Sequence, residues 1–290
     1  MRPPGTRPGA NIGAARVGDA PRPWTFDRDE PSALSDTFLR KGIVKTAVED
    51  CAALDAIRET VARAFAGWLG VPLPADIATF LNLAHERIPI ERLNDCRLHV
   101  IGAMNGEPWL RPAYAALARR TLETLAGNEL AMQRQVNLSV QLPHDAGSLL
   151  PVHSDVWAGD SPYEVVLWVP YVGCARTKSM YFCDAARDAA VQSRLADLRA
   201  GTVEDLYALI EPHVEFLDVA YGEVLVFTQN ILHGNRVNLE PETRWSSNCR
   251  FKSLLSPYAD KKLGEFFEPI SIRPATRLGL RYRLPELPRD

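Results

Sequence analysis

The chain has 290 residues, of which 46% are hydrophobic and 24% charged, with a formal net charge of only -3. Such a composition supports a sizeable core and excludes a disordered or collagen-like chain. No basic run with interleaved aromatics is present, which argues against nucleic acid as the main partner and for a small acidic or neutral molecule.

Residues 1 to 32, rich in Pro, Gly and Arg, show no hydrophobic period and are expected to form a flexible arm, with one domain spanning residues 33–290. The arm has no apolar stretch of signal-peptide length, and nowhere do 18 apolar residues run together. Cys51, Cys96, Cys174, Cys183 and Cys249 are odd in number and widely spaced, so they read as reduced core thiols. A cytoplasmic protein without membrane attachment is the expectation, and its oligomeric state is left open.

Order is predicted to begin at SDTFLRKGIVKTAVED, where an extended GIVKTAV leads to Asp50 as the cap of a helix CAALDAIRETVARAFAGWLG. Leu54, Ile57, Val61 and Phe65 fall on one face of that helix. Further helical segments follow at ADIATFLNLAHERI, around ERLNDCRLHVIGAM, and at RPAYAALARRTLETLAG, which opens with Pro112 and closes at Gly127.

From residue 134 the period changes to alternation: RQVNLSVQLP, YEVVLWVPYV, GEVLVFTQNIL and TRWSSNCRFKSLL read as strands. A segment AARDAAVQSRLADLRAGTVEDLYALI between the second and third reads as a helical insertion. One such helix does not make a doubly wound fold, and neither GxGxxG nor GxxxxGK is present. The fold class expected is mainly β with α.

The segment PVHSDVWAGD pairs His153 with Asp155. Residues two apart on an extended segment point the same way, so both can face one ion. Two histidines and one carboxylate form a facial triad that suits Fe(II) and leaves coordination positions open. An HxD pair alone is a short motif that chance supplies easily. It gains weight from His233 at the end of GEVLVFTQNIL and from Arg244, eleven residues later, on the next strand.

On that last strand, period-2 reading places Arg244, Ser246, Asn248, Arg250 and Lys252 on one face and Trp245, Ser247, Cys249, Phe251 and Ser253 on the other. In a small barrel with iron at its mouth, the polar face points inward and an arginine there can hold a dicarboxylate.

In this order, HxD, strand-terminal HG and Arg at His plus eleven, the chain resembles the Fe(II)/2-oxoglutarate-dependent dioxygenases, in particular the phytanoyl-CoA hydroxylase-like branch. The match covers roughly residues 36 to 260. The stretches LSVQLPHDAGSLLPVHSDVWAGDSPYEVVLWVPYV, TKSMYF and RFKSLLSPYADKKLGEFFEPIS are similar to oxygenases found sporadically in bacterial carbohydrate-biosynthesis clusters.

The resemblance implies a double-stranded β-helix (jelly-roll, cupin-like) core with N-terminal helices packed on it. It implies His153, Asp155 and His233 as catalytic iron ligands, Arg244 as partner of the 2-oxoglutarate C5 carboxylate, and dioxygen as oxidant. Gln141 and Trp168 match positions that line the cosubstrate pocket in relatives. Asn137 and Ser139 share Gln141's strand face, and Arg250 matches a second arginine beside the site.

In related halogenases a small residue replaces the aspartate, so Asp155 points to hydroxylation. The usual PGSH-like stretch is replaced by TKSMYFCDAARD, which speaks against an acyl-CoA substrate. The implied substrate is a sugar, an aminocyclitol or a sugar-bearing metabolite. Trp157, Asp160 and Tyr163 are candidate pocket residues, with Arg176 and Lys178 at its mouth; loop anchoring is the competing role for each. Desaturation, cyclisation or epimerisation begin in the same way as hydroxylation. A non-catalytic metal-binding or sensor module and a zinc hydrolase are the other classes that the same ligands allow.

Overall fold

Residues 32–195 and 201–285 are described in a computed structural model of the chain. Of the expected arm only Ser32 falls within them. The helical first half comprises α1 (Ala33–Lys41), α2 (Cys51–Leu69), α3 (Ile77–Asn82), α4 (Leu93–Asn105), α5 (Leu110–Ala116) and α6 (Arg119–Ala126), with β1 (Ile43–Ala47) after α1. Next come β2 (Leu130–Gln133), β3 (Asn137–Gln141), β4 (Glu164–Pro170), β5 (Tyr181–Cys183), α7 (Ala185–Gln192), α8 (Val203–Ile210), β6 (Val214–Phe216), β7 (Glu223–Thr228), β8 (His233–Gly234), β9 (Arg244–Ser253), β10 (Phe267–Pro269) and α9 (Pro274–Gly279).

The sheet order accounts for the barrel. In the large sheet β7 pairs β4, β4 pairs β9, and β9 pairs β3, all antiparallel. In the small sheet β6 pairs β5, β5 pairs β8, and β8 pairs the segment at His153 through an isolated antiparallel bridge. In chain order the eight segments pass back and forth between two four-stranded sheets, with β5 and β6 as one hairpin within the small sheet, which is the double-stranded β-helix. Beyond it, β1 extends the large sheet past β7, and β2 with β10 extend it beside the far end of β9.

Helix α2 forms as its sequence predicts. The Asp50 carboxylate accepts a hydrogen bond from the Ala53 amide, and Gly70 closes the helix in the left-handed region. Its face of Leu54, Ile57, Val61 and Phe65 is buried. The Phe65 ring lies 5.1 Å from that of Trp245 and 4.9 Å from that of Phe80, so α2 packs on the apolar face of β9. Covering that face with helices sends the opposite, polar face of β9 into the barrel.

Helices α7 and α8 play the corresponding part for the small sheet. Val191, Tyr207 and Ile210 form a second buried cluster with Tyr181, Cys183 and Leu232. The expected insertion is therefore helical on both sides of residues 196–200, which lie outside the described residues.

Two helical readings are corrected. ADIATFLNLAHERI is a short α3 followed by a 3-10 turn at Ala84–Glu86. RPAYAALARRTLETLAG is two helices, broken at Ala118, whose φ of -147° and ψ of 36° are not helical. The cause is remote: the Glu49 carboxylate accepts hydrogen bonds from the Arg120 and Thr121 amides and from the Thr121 hydroxyl. This supplies α6 with a cap from outside its own segment. Among the described residues five strands, β2, β5, β6, β8 and β10, each of two to four residues, are additional to those predicted.

Because Glu49 is the cap of α6, Glu49→Ala is expected to lower stability by about 1–2 kcal/mol. Glu49→Gln, which keeps one acceptor, should lose less. Chemical unfolding of the three proteins checks this order.

Candidate metal centre

His153 and His233 are joined by their backbones before their side chains meet. The His153 amide donates to the His233 carbonyl at 3.0 Å and the His233 amide donates to the His153 carbonyl at 2.9 Å. Residues directly opposite in an antiparallel pair put their side chains on one face, and the two imidazole centroids are 4.4 Å apart. Ser154 is extended, and Asp155 opens a 3-10 turn over Asp155–Ala158. Asp155 thereby returns to the same side, with Oδ1 3.6 Å from His153 Nε2 and Oδ2 4.0 Å from His233 Nε2.

The three ligand atoms lie within 4.8 Å of one another, and among the described residues this is the group able to hold a metal ion.

Both rings are oriented alike. His153 Nδ1 lies 2.9 Å from the Pro151 carbonyl, and His233 Nδ1 lies 2.9 Å from the Ile231 carbonyl. A proton on Nδ1 donated to that carbonyl leaves Nε2 as the free donor atom for a metal. Around His233 the Phe182 ring stacks at 5.6 Å and the Phe227 ring meets it edge-on at 5.0 Å.

Burial, reinforced by the neighbouring His153, pushes the His233 pKa down to about 4, so this imidazole is neutral and ligand-ready. Burial also acts against the charge of His153 and Asp155. For these two, their mutual hydrogen bond and attraction win: His153 is shifted up and Asp155 is held well below the usual carboxylate range. Two neutral-capable imidazoles and one firmly ionised carboxylate with ligand atoms this close fit a divalent ion such as Fe(II), which such a triad holds on one face of its coordination sphere.

Ser154, whose side chain the HxD spacing turns away, is not idle. Its hydroxyl lies 2.9 Å from the Gln229 carbonyl and 3.1 Å from that of Asn230, fastening the HxD turn to the end of β7. Gly234 has a steric role, because a Cβ there would stand 2.7 Å from both the Leu150 carbonyl oxygen and the Tyr181 hydroxyl.

The register of β3, β4 and β9 sets the inner wall. Gln141 lies opposite Arg244, Ser139 opposite Ser246, and Asn137 opposite Asn248. Trp168 is opposite Asn248 on the other side, so it faces inward as well. Arg244 is only 3% exposed, and burial lowers its pKa to about 10. Its Nη2 donates to Ser139 Oγ at 3.0 Å, while its Nε and Nη1 have no partner.

Gln141 donates to the Arg236 carbonyl at 2.6 Å but leaves Oε1 without a partner, and the Ser246 hydroxyl is likewise unpaired. Buried polar atoms are nearly always satisfied. Asn137, by contrast, is engaged: it donates to Asn248 Oδ1 at 2.9 Å.

Arg250 binds Asp155 rather than standing free. Its Nη2 is 3.1 Å from Asp155 Oδ1, and its Nε donates to Gln229 Oε1 at 3.2 Å. Asp160, expected in the pocket, is fully buried behind this arginine, with Oδ1 3.1 Å from Arg250 Nε in an ion contact. Trp157 sits 45% exposed on the turn that Asp155 opens, and Tyr163 is exposed.

The structure does not bring Arg176 or Lys178 to the site. Arg176 lies on an exposed turn with φ of 47° and pairs with Glu240 at 3.6 Å. Lys178 is buried, where Glu242 at 2.7 Å and Asn82 at 2.9 Å hold its ammonium group. Gln133, Gln229 and Glu164 enter the inner wall unannounced. Gln133 belongs to a strand too short to show alternation, and Glu164 and Gln229 sit at strand ends where an outward turn is the default reading.

No protein-family model and no curated protein sequence matches the chain. Several solved structures resemble it. A non-heme monooxygenase, the ThoJ–nickel complex, is 15% identical with a TM-score of 0.46, covering 81% of this chain and 82% of that one. EctD from S. alaskensis in its apoform is 16% identical with a TM-score of 0.49, covering 80% and 81%. HygX from Streptomyces hygroscopicus with nickel and 2-oxoglutarate bound is 11% identical with a TM-score of 0.47, covering 79% and 88%. At these identities they are likenesses of fold.

Glu164 provides a pH prediction. It is buried and receives hydrogen bonds from Gln229 Nε2 at 2.5 Å and from the Ser161 amide, and burial pushes its pKa from 4.5 to about 7. A folded-state value above the unfolded one means that protonation favours the fold, so this contribution is lost as pH rises from about 4.5 to about 7. Glu164→Gln cannot titrate, and thermal midpoints across that window should fall less steeply for the variant than for the parent protein.

Proposed function

We propose that this protein is an Fe(II)- and 2-oxoglutarate-dependent dioxygenase that hydroxylates a small polar metabolite. The observation that carries the reading is Arg244. A guanidinium with two unpaired nitrogens inside the barrel is costly unless an anion completes it. Arg244 Nη1, together with the second hydrogen of Nη2, forms an end-on fork for one carboxylate, and the unpaired Ser246 hydroxyl and Gln141 amide oxygen stand on the same wall. A dicarboxylate held there has its other end free to reach His153, Asp155 and His233.

When bound, iron with 2-oxoglutarate and dioxygen supplies a decarboxylation that yields succinate and carbon dioxide while oxygen is inserted into a substrate C–H bond. The chain's own residues do the rest. His153 and His233 present Nε2 because the Pro151 and Ile231 carbonyls take up Nδ1. Arg244 orients the cosubstrate, and Phe182 and Phe227 exclude water from the His233 side. Asp155 occupies the carboxylate position, which supports hydroxylation over halogenation.

The proposed substrate class is supported by the resemblance to carbohydrate-cluster oxygenases and by a barrel wall of amides, hydroxyls and charges, which suits a sugar, aminocyclitol or sugar-bearing natural product better than an acyl chain. Among the described residues no helix is long and apolar enough to cross a membrane. A small-molecule reaction in the cytoplasm, without nucleic acid, completes the proposal.

Asp155→Ala is expected to abolish succinate release. Arg244→Met should weaken 2-oxoglutarate binding by about 30-fold or more. Since it also removes an unpaired buried charge, its thermal midpoint without cosubstrate should equal or exceed that of the parent. Anaerobic titration with Fe(II) and 2-oxoglutarate, followed by the visible charge-transfer band, tests binding. Succinate release screened across sugars, nucleotide sugars and aminocyclitols tests the substrate class. A band without turnover of any candidate would favour a sensor module, and 2-oxoglutarate binding that survives Arg244→Met would refute the assignment.

A further inference from the structure

We propose that Lys261, on the loop after β9, is a positioning residue for the Asp155 carboxylate, acting through Asp160 and Arg250. The inference rests on the metal-centre reading and adds to it a control from a segment remote in sequence. Four charged side chains alternate in sign along one path. Lys261 Nζ lies 2.6 Å from Asp160 Oδ2, Asp160 Oδ1 lies 3.1 Å from Arg250 Nε, and Arg250 Nη2 lies 3.1 Å from Asp155 Oδ1. The Asp160 side chain is completely buried, and that of Arg250 is 14% exposed. Charges so placed are held in one geometry only if each has its partner.

The division of the Arg250 guanidinium between two carboxylates is the functional point. A free guanidinium fork pairs with a carboxylate through both oxygens. Here the Nε hydrogen goes to the Gln229 amide oxygen, with Asp160 Oδ1 in ion contact 3.1 Å from the same nitrogen, and Nη1 faces Gln133 Oε1 at 3.5 Å, so Arg250 reaches Asp155 through Nη2 alone and engages Oδ1. Oδ2 is left for an ion, which favours one-oxygen ligation and keeps a coordination position open. Lys261 balances the second carboxylate. Without it, Asp160 carries a buried charge with half its compensation, and the division of Arg250 shifts.

The two loops are built to meet. The Asp260 amide donates to the Gly159 carbonyl at 3.2 Å, and the Ser161 hydroxyl donates to the Pro257 carbonyl at 2.7 Å. Gly159 has φ of 84°, and a Cβ there would lie 2.5 Å from Asp260 Oδ2. The chain therefore turns without a side chain at the point where the loop carrying Lys261 crosses the HxD turn.

Outer residues that orient metal ligands typically change metal affinity by about 10–100-fold when replaced. Co(II) titration of the full-length protein, followed by its visible absorption, is the test. Lys261→Met and Asp160→Asn are expected to bind Co(II) about 10-fold or more weakly, with an altered ligand-field spectrum, and Lys261→Arg to restore both. A purely structural role would lower the metal-free thermal midpoint and leave the Co(II) spectrum unchanged.

Unchanged affinity and spectrum in both Lys261→Met and Asp160→Asn would overturn the proposal while leaving the metal centre standing. Failure of the parent protein itself to bind Co(II) would overturn the metal centre and this proposal together. Asp160→Asn preserves shape, so it keeps the test decisive if Lys261→Met folds poorly.

Discussion

The reciprocal backbone hydrogen bonds between His153 and His233 are the constraint on which the site depends. They join the HxD segment to the strand that ends in HG, and so close the small sheet at its edge. The same pair puts two imidazoles side by side, and a one-residue slip would send one of them to the opposite face. Everything nearby defends this register: Ser154 holds the HxD turn to the end of β7, and Gly234 lets Leu150 and Tyr181 approach.

A second constraint is the inversion of the usual sheet pattern. In β9 the apolar residues face outward, because α2 and α3 cover them, and Trp245 even donates to the Leu81 carbonyl at 2.9 Å. The barrel interior is left to Arg244, Arg250, Lys252 and their partners. Lys252 shows how far this goes: it is fully buried, bound to the Ser256 and Pro257 carbonyls, and burial lowers its pKa to about 8. Charges in such a place are tolerated when paired. Arg250 is paired on every side, whereas Arg244 is left with two unpartnered nitrogens. That contrast between two arginines six residues apart on one strand face is what supports the proposed positioning role of the one and binding role of the other.

Much of this was legible beforehand where the signal is local. Helix α2 carries its cap, its period and its terminating glycine within one segment, and the HxD, HG and Arg spacing is a pattern of residue types at fixed intervals. The break between α5 and α6 was not legible, because the carboxylate that causes it belongs to Glu49, about 70 residues upstream. The short strands of the small sheet were missed for a similar reason: two or three residues cannot show alternation, and their pairing comes from the partner strand. Arg176 and Lys178 looked alike as loop cations, yet one is spent on an exposed turn and the other in a buried ion pair.

The sequence by itself therefore determined which residues face together along each strand, since the period of two is a property of the backbone, and which residue types could serve a metal. Tertiary structure alone decided which arginine is free and which is engaged, and that Asp160 and Lys261 stand behind Asp155. Those outcomes depend on distances between segments about 100 residues apart, set by how two sheets and their covering helices pack, and no local pattern in the chain encodes them.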